Sequence, residues 1–87
     1  MSLELYQQVV LTLDLPEYNL KKGDVATLID YVAHPTNQEN GYVLEIFNAI
    51  GESVAVIIVP QYSIEPTQSD EILTIRKYHV PQLPQLS

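Results

Sequence analysis

The sequence predicts an all-β domain, a small barrel of about five antiparallel strands. Four runs are rich in β-branched and aromatic residues, and each is bounded by Gly, Pro or Asn, which is the pattern of short strands joined by turns. Nowhere is a helical period of apolar residues sustained over ten positions, so no α-helix is expected. A polar turn from Lys21 to Asp24 leads into the apolar run from Val25 to Val32. A tight turn that feeds a long strand indicates the central, bent strand of a small barrel.

Each strand is predicted from its own run of strand-forming residues. The strands span residues 8–13, 24–33, 42–47, 52–59 and 64–65, with loops at 14–19 and 34–40 and one 3₁₀ turn at 61–63. Gly23 and Gly51 are placed in the turns before the second and fourth strands, where a positive φ is needed and glycine adopts it without steric cost. Pro60 ends the fourth strand because proline supplies no ladder donor.

The fourth strand is apolar on both of its faces. Val54, Val56 and Ile58 are predicted to point inward, yet Ala55, Ile57 and Val59 are also apolar. We therefore expect this strand to be covered twice, by the barrel interior and by a tail or a partner.

Length and composition limit the function classes. Eighty-seven residues make one domain, 46% of them hydrophobic, with no Cys, so disulfides, thiolate metal sites and Cys nucleophiles are excluded. The formal charge of −7 repels phosphate backbones and anionic membrane surfaces. The first eight residues lack the features of a signal peptide, and the longest apolar runs are too short to span a membrane. The default expectation is a soluble, cytoplasmic protein that binds neither nucleic acid nor membrane.

Five strands, a long loop after the first and a 3₁₀ turn before a short last strand form the layout of an SH3-like barrel. Several stretches also resemble the small bacterial family catalogued as domain of unknown function 4926. These stretches are 14–17, 20–27, 42–47, 51–56 and 64–66, and the resemblance covers about residues 5–66. One departure is Ala26, where related sequences usually carry Gly. The resemblance implies a compact SH3-like barrel and supplies no catalytic residues.

No set of residues predicts catalysis, a metal site or a cofactor. His34 and His79, the two histidines, lie in a polar loop and in the C-terminal tail, so we expect both at the surface. The serines have no neighbouring base, and Gly23 and Gly51 are each followed by an acidic residue, where a phosphate-binding loop would need backbone donors and no negative charge. The protein is therefore predicted not to be an enzyme.

Six tyrosines are the enrichment that suggests partner binding. SH3 domains grip proline-rich segments in aromatic grooves, so Tyr18, in the long loop, and Tyr62, near the 3₁₀ turn, are the candidate contact residues. The alternative is that the tyrosines cover the barrel rim with their hydroxyls in water.

The C-terminal extension, residues 67–87, follows a barrel expected to be complete at residue 66. Its segment 69–80 is predicted to be an extended docking strand, followed by a frayed tail, and its apolar side chains are Ile72, Leu73, Ile75 and Tyr78. These side chains are too apolar to remain in water, so the segment is expected to dock on its own barrel or on a second copy. We favour the second copy, which would make a homodimer, since a short chain gains much from shared burial.

The functional prediction is a small acidic interaction module that binds a protein partner or itself. The alternative is an accessory subunit that assists a larger enzyme, or a barrel that binds a small molecule.

Overall fold

The computed structural model describes residues 3–33, 41–79 and 81, and shows an all-β chain without α-helix in these ranges. Five strands and two 3₁₀ turns follow one another along the chain. They are β1 (Gln8–Leu11), η1 (Pro16–Tyr18), β2 (Val25–Val32), β3 (Gly41–Phe47), β4 (Ser53–Pro60), η2 (Gln61–Ser63) and β5 (Ile64–Pro66). The predicted loop at 34–40 and most of the predicted frayed tail lie outside the described residues.

All neighbouring strands pair antiparallel in one sheet of order β4-β3-β2-β1-β5. The predicted all-β class, the five antiparallel strands and the 3₁₀ turn before the last strand are therefore confirmed. β4 and β5 form the two edges of the sheet, so the SH3-like barrel is not closed by a seam of strand pairing in the described chain. No helix of the described residues is long and apolar enough to cross a membrane.

β2 is the strand that connects the two halves of the sheet, as its position after a tight turn predicts. Its first residues pair with β1, and Thr27 onward pairs with β3. A bulge between Leu28 and Asp30 shifts the register, and bulges bend a strand and increase its twist. In the turn before it, Gly23 has φ +95°, and Asp24 accepts a hydrogen bond from the Lys21 N–H at 2.8 Å. The turn thus sets the direction in which β2 begins.

The core is a cluster of buried apolar side chains from all five strands and the loop after β1. Its largest fully buried side chains belong to β1, β2, β3 and β4, with Ser63 of η2 beside them. The complete buried apolar cluster is Val9, Leu11, Leu15, Leu20, Ala26, Leu28, Tyr42, Leu44, Ile46, Ile57, Val59 and Ile64. Ser63 satisfies its hydroxyl by donating to the Pro60 carbonyl at 2.6 Å, so the 3₁₀ turn between β4 and β5 brings no unpaired hydroxyl into the core.

The side chains of β4 point to the opposite faces of the sheet from those predicted. Ile57 and Val59 are buried, whereas Val56 and Ile58 are 57% and 58% exposed. The cause is a register shift between Ile46 and Phe47 of β3, opposite the start of β4. A one-residue shift moves every later side chain to the other face. The outward pair Val56 and Ile58 therefore lies on the outer surface of the sheet.

The turn between β3 and β4 is closed by Asn48. Its side-chain oxygen accepts hydrogen bonds from the N–H groups of Ile50 and Glu52, at 3.1 and 2.9 Å. Gly51 has φ +85°, which confirms the left-handed geometry predicted for it.

Candidate functional site

Residues 71–79, called the strap here, cross the barrel surface without regular secondary structure. Their anchor is Arg76, the single arginine of the chain. It forms an ion pair with Asp24, in which Nε donates to the carboxylate Oδ1 at 2.9 Å. The guanidinium also donates to the Asn19 carbonyl at 3.3 Å. A two-pronged guanidinium–carboxylate contact fixes direction as well as distance, so the strap has a defined path.

Two further contacts hold the end of the strap. Tyr78 packs against the core cluster, and its hydroxyl donates to the Tyr18 carbonyl at 3.0 Å. The Asn19 side chain donates to the His79 carbonyl at 2.9 Å. Asn19 ends η1 in the left-handed conformation, with φ 57°, a geometry that Asn tolerates better than most residues. The loop after β1 is therefore the receiving surface for the strap.

The aliphatic side chains of the strap are not buried by this docking. Ile72, Leu73 and Ile75 are 88%, 61% and 89% exposed. They line an open groove of about 850 Å³ together with residues 46–49, Val54 and residues 23–27. Phe47 of that lining is itself 43% exposed. The apolar lining of this strap groove therefore comes from both the strap and the barrel.

The groove also brings together every lysine and arginine of the chain. The sequence has four lysines and arginines, and Lys21, Lys22, Arg76 and Lys77 all line it. The carboxylate in the lining is Asp24, and it is paired with Arg76. A smaller depression of about 410 Å³ is lined by His79 and the carboxylate of Asp14, beside Lys21, Arg76 and Lys77. All three lysines and the arginine of this acidic protein thus lie along the strap groove.

The titration behaviour of the anchor follows from its contacts. Partial burial by itself would raise the pKa of Asp24, but hydrogen bonds from Arg76 and from the Lys21 N–H, together with the charges of Arg76 and Lys21, lower that pKa below the ordinary value. The hydrogen bond to Asp24 raises the pKa of Arg76. Burial raises the pKa of Tyr78. The ion pair is therefore fully charged at neutral pH.

The six residues singled out from the sequence fall into two places. Tyr18 accepts the hydrogen bond from Tyr78, and Tyr78 lines the strap groove with Ile72, Leu73 and Ile75. Tyr62 lies in η2, 64% exposed, and its carbonyl accepts the Thr12 hydroxyl at 3.0 Å. In the described part of the chain the ring-to-ring contact is between Tyr31 and Tyr42, with centroids 5.4 Å apart, and not between Tyr18 and Tyr62.

The gathering of charge at the strap was not predicted from the sequence. Lys21-Lys22 and Arg76-Lys77 appeared as separate basic pairs far apart in the chain. One available signal was the single arginine within an aliphatic run, because a guanidinium placed against a sheet needs a carboxylate partner. Over residues 3–33, 41–79 and 81, no group of three or more His, Asp or Glu side chains is placed to hold a metal ion.

Comparison with known proteins places the barrel in a family. No curated protein and no solved structure matches the chain. The model of one family, described as "Domain of unknown function (DUF4926)", matches residues 5–66. That range holds all five strands and both 3₁₀ turns and ends with β5, whereas the strap follows it. Because the match covers well over half of the 87 residues, the chain belongs to the DUF4926 family.

Proposed function

We propose that this protein is a small non-enzymatic interaction module whose strap groove binds an extended segment of a partner protein. The observation that carries the proposal is the exposure of Ile72, Leu73 and Ile75 on an anchored strap. Exposed aliphatic side chains that sit together mark interaction surfaces. Their burial by a partner would contribute about 25 cal/mol per Å² of apolar surface removed from water.

The exposure of these aliphatic side chains supports partner binding because the strap is anchored. A free tail would bury its aliphatic side chains wherever it found apolar surface. Here Arg76 and Tyr78 fix the segment at Asp24 and Tyr18, so the side chains that precede them are held beside the groove. The groove is thus formed before a partner arrives, and a preformed surface reduces the entropy lost on binding.

The charges favour a partner segment that carries carboxylates. Four cationic residues line the groove, against one carboxylate that is already paired. An occupant with aliphatic side chains and carboxylates would contact both the apolar lining and the ammonium groups of the three lysines. The overall charge of −7 repels an acidic segment elsewhere on the surface, so complementarity also orients the encounter. A phosphate backbone fits less well, because it gains nothing from the aliphatic walls.

Selection from a random peptide display library on the immobilised full chain tests this proposal. The selected peptides should combine Leu, Ile or Phe with Asp or Glu, and their binding should weaken as the salt concentration rises. Enrichment of basic peptides, or no enrichment above a barrel of unrelated sequence, would contradict the proposal.

Two matched pairs of variants locate the contact. Leu73→Ser should weaken the selected peptide about tenfold, whereas Ile50→Ser, an 80% exposed aliphatic residue in the β3–β4 turn, should not. Lys77→Gln and Gln61→Glu each lower the net charge by one, yet only the first lies in the groove. If both members of a pair lose the same affinity for the peptide, the effect comes from net charge or from nonspecific hydrophobic binding. The groove would then not be the binding site.

A further inference from the structure

The two edges of the sheet differ in their protection. β5 is three residues long, carries Glu65 at its centre and ends at Pro66. Short length, a charge and a proline are the devices that prevent an edge strand from pairing with another chain. β4 is eight residues long and has no charged residue from Ser53 to Pro60. Within the described residues, the β5 edge therefore carries all three protective features, whereas the β4 edge has only its terminal Pro60.

The open edge is also apolar on its outer face. Val56 and Ile58 are more than half exposed there, beside Glu45 and Val43 of β3. The chain is 17% charged and carries a net charge of −7, which keeps copies apart at most surfaces. The eight residues of the β4 edge include no carboxylate. Charge repulsion between copies is therefore weaker at this edge than elsewhere on the surface.

We propose that two copies of this chain pair through β4, antiparallel about a two-fold axis, with Ile57 opposite Ile57 of the second copy. This goes beyond the strap groove, with which the proposed pairing shares Val54 of β4. The pairing would join the two five-stranded sheets into one continuous sheet of ten strands.

The register follows from which side chains face outward. In a two-fold pair that keeps the two barrel interiors on one side, outward residues must meet outward residues. Centring the axis on Ile57 places Val56 opposite Ile58 twice, and Ala55 opposite Val59 twice. These are pairs of β-branched or small apolar residues, the kind that stabilise antiparallel strands. Pro60 then meets Val54 at the end of the ladder, where its missing N–H costs least.

The acidic residues nearest the edge do not oppose the pairing. The closest outward carboxylate is Glu45, one strand behind β4. Two copies of β3 would be separated by three strand spacings, about 14 Å, which exceeds the screening length of about 8–10 Å at physiological salt. Glu52, before β4, would lie beyond the paired residues. The two negatively charged copies can therefore meet at this edge without opposed carboxylates.

A charge pair designed across the axis tests both the dimer and its register. Val56→Lys and Ile58→Glu are exposed substitutions, and the first places an ammonium beside Glu45 of its own chain. Each alone should raise the dimer dissociation constant about tenfold or more, because a charge then faces an apolar residue. The double variant places an ammonium opposite a carboxylate at both positions about the axis, so its dissociation constant should return to within about threefold of the wild-type value. Ile50→Lys is the control for added charge and should leave the dimer intact.

The measurement is the molar mass in light scattering, with dissociation constants from sedimentation equilibrium, and circular dichroism to verify folding. The wild-type chain should reach twice 9.8 kDa and associate more tightly as salt increases. A wild-type chain that stays monomeric up to its solubility limit, or single variants that weaken the dimer without recovery in the double variant, would overturn the proposal. Should a variant fail to fold, amide hydrogen exchange of wild-type β4 decides instead. Protection that rises with protein concentration supports the pairing, and protection independent of concentration overturns it.

Discussion

Arg76 and Asp24 are joined across 52 positions of sequence, with the guanidinium Nε donating to the carboxylate at 2.9 Å. The pair links the strap to the turn from which β2 begins. The pair therefore connects the strap, which lies outside the residues of the family match, to β2.

The pair makes strap docking dependent on pH. The pKa of Asp24 is lowered in the folded chain from its ordinary value of 3.8, so its contribution to stability is fully present above that value. The contribution is lost as the pH falls through the lower, folded-state pKa. We expect the Tyr78 ring resonances in NMR spectra to move toward exposed values over this acid range while the β-strand signals persist. In Asp24→Asn the Tyr78 resonances should already have exposed values at neutral pH. If they instead move with falling pH as they do in the wild-type chain, Asp24 does not control the docking of the strap.

Tyr78→Phe removes the hydroxyl that donates to the Tyr18 carbonyl. The expected loss in unfolding free energy is about 0.5–1.5 kcal/mol, the usual contribution of one hydrogen bond. Urea denaturation of Tyr62→Phe supplies the matched control, since Tyr62 is 64% exposed and its loss should be near zero. Equal effects of the two changes would show that the Tyr78 hydroxyl is not an anchor.

Gly51→Ala should destabilise the protein by about 1 kcal/mol, because an L-residue with a side chain is strained at positive φ. Open space surrounds the position, with nothing within 4 Å of an added Cβ, so the cost comes from the backbone alone. Gly51→Asn should cost less, since Asn tolerates the left-handed region. Thermal denaturation of both variants measures the difference, and a neutral Gly51→Ala would mean that the turn relaxes to another geometry.

Truncation after Thr67 separates the strap from the proposed dimer edge. Removal of the Tyr78 and Arg76 contacts should lower the free energy of unfolding by about 1–3 kcal/mol. The molar mass in light scattering should stay that of the full-length assembly, because β4 is retained. A truncated chain that loses both stability and dimer mass would instead support exchange of the C-terminal segment between copies.

The layout of the barrel was predictable because its signals are local. Gly23 and Gly51 mark turns by their backbone freedom alone, and both have positive φ. The facing of β4 was not predictable in this way, since Val54 to Val59 are all apolar and have no alternation to read. There the bulge opposite the start of β4 decides, and it depends on how β3 pairs with β4.

The candidate site was predictable in part only. The apolar character of residues 72–78 indicated that the segment matters. Its anchoring by Arg76 depends on a contact 52 residues away, and the gathering of all four cations depends on the path of the whole chain. Such non-local relationships carry no periodic signal in the sequence.

The separation in sequence between the strap and its receiving loop also sets an order of folding. β3 and β4 are joined by a turn closed between Asn48 and Glu52, so their hairpin forms at small loop-closure cost. The contacts of Arg76 and Tyr78 close loops of 52 and 60 residues, and these need β2 and η1 in place first. Closing a long loop costs chain entropy before its contacts form. We therefore expect the strap to be the last element to form and the first to open. The groove therefore exists only on a chain whose barrel is complete.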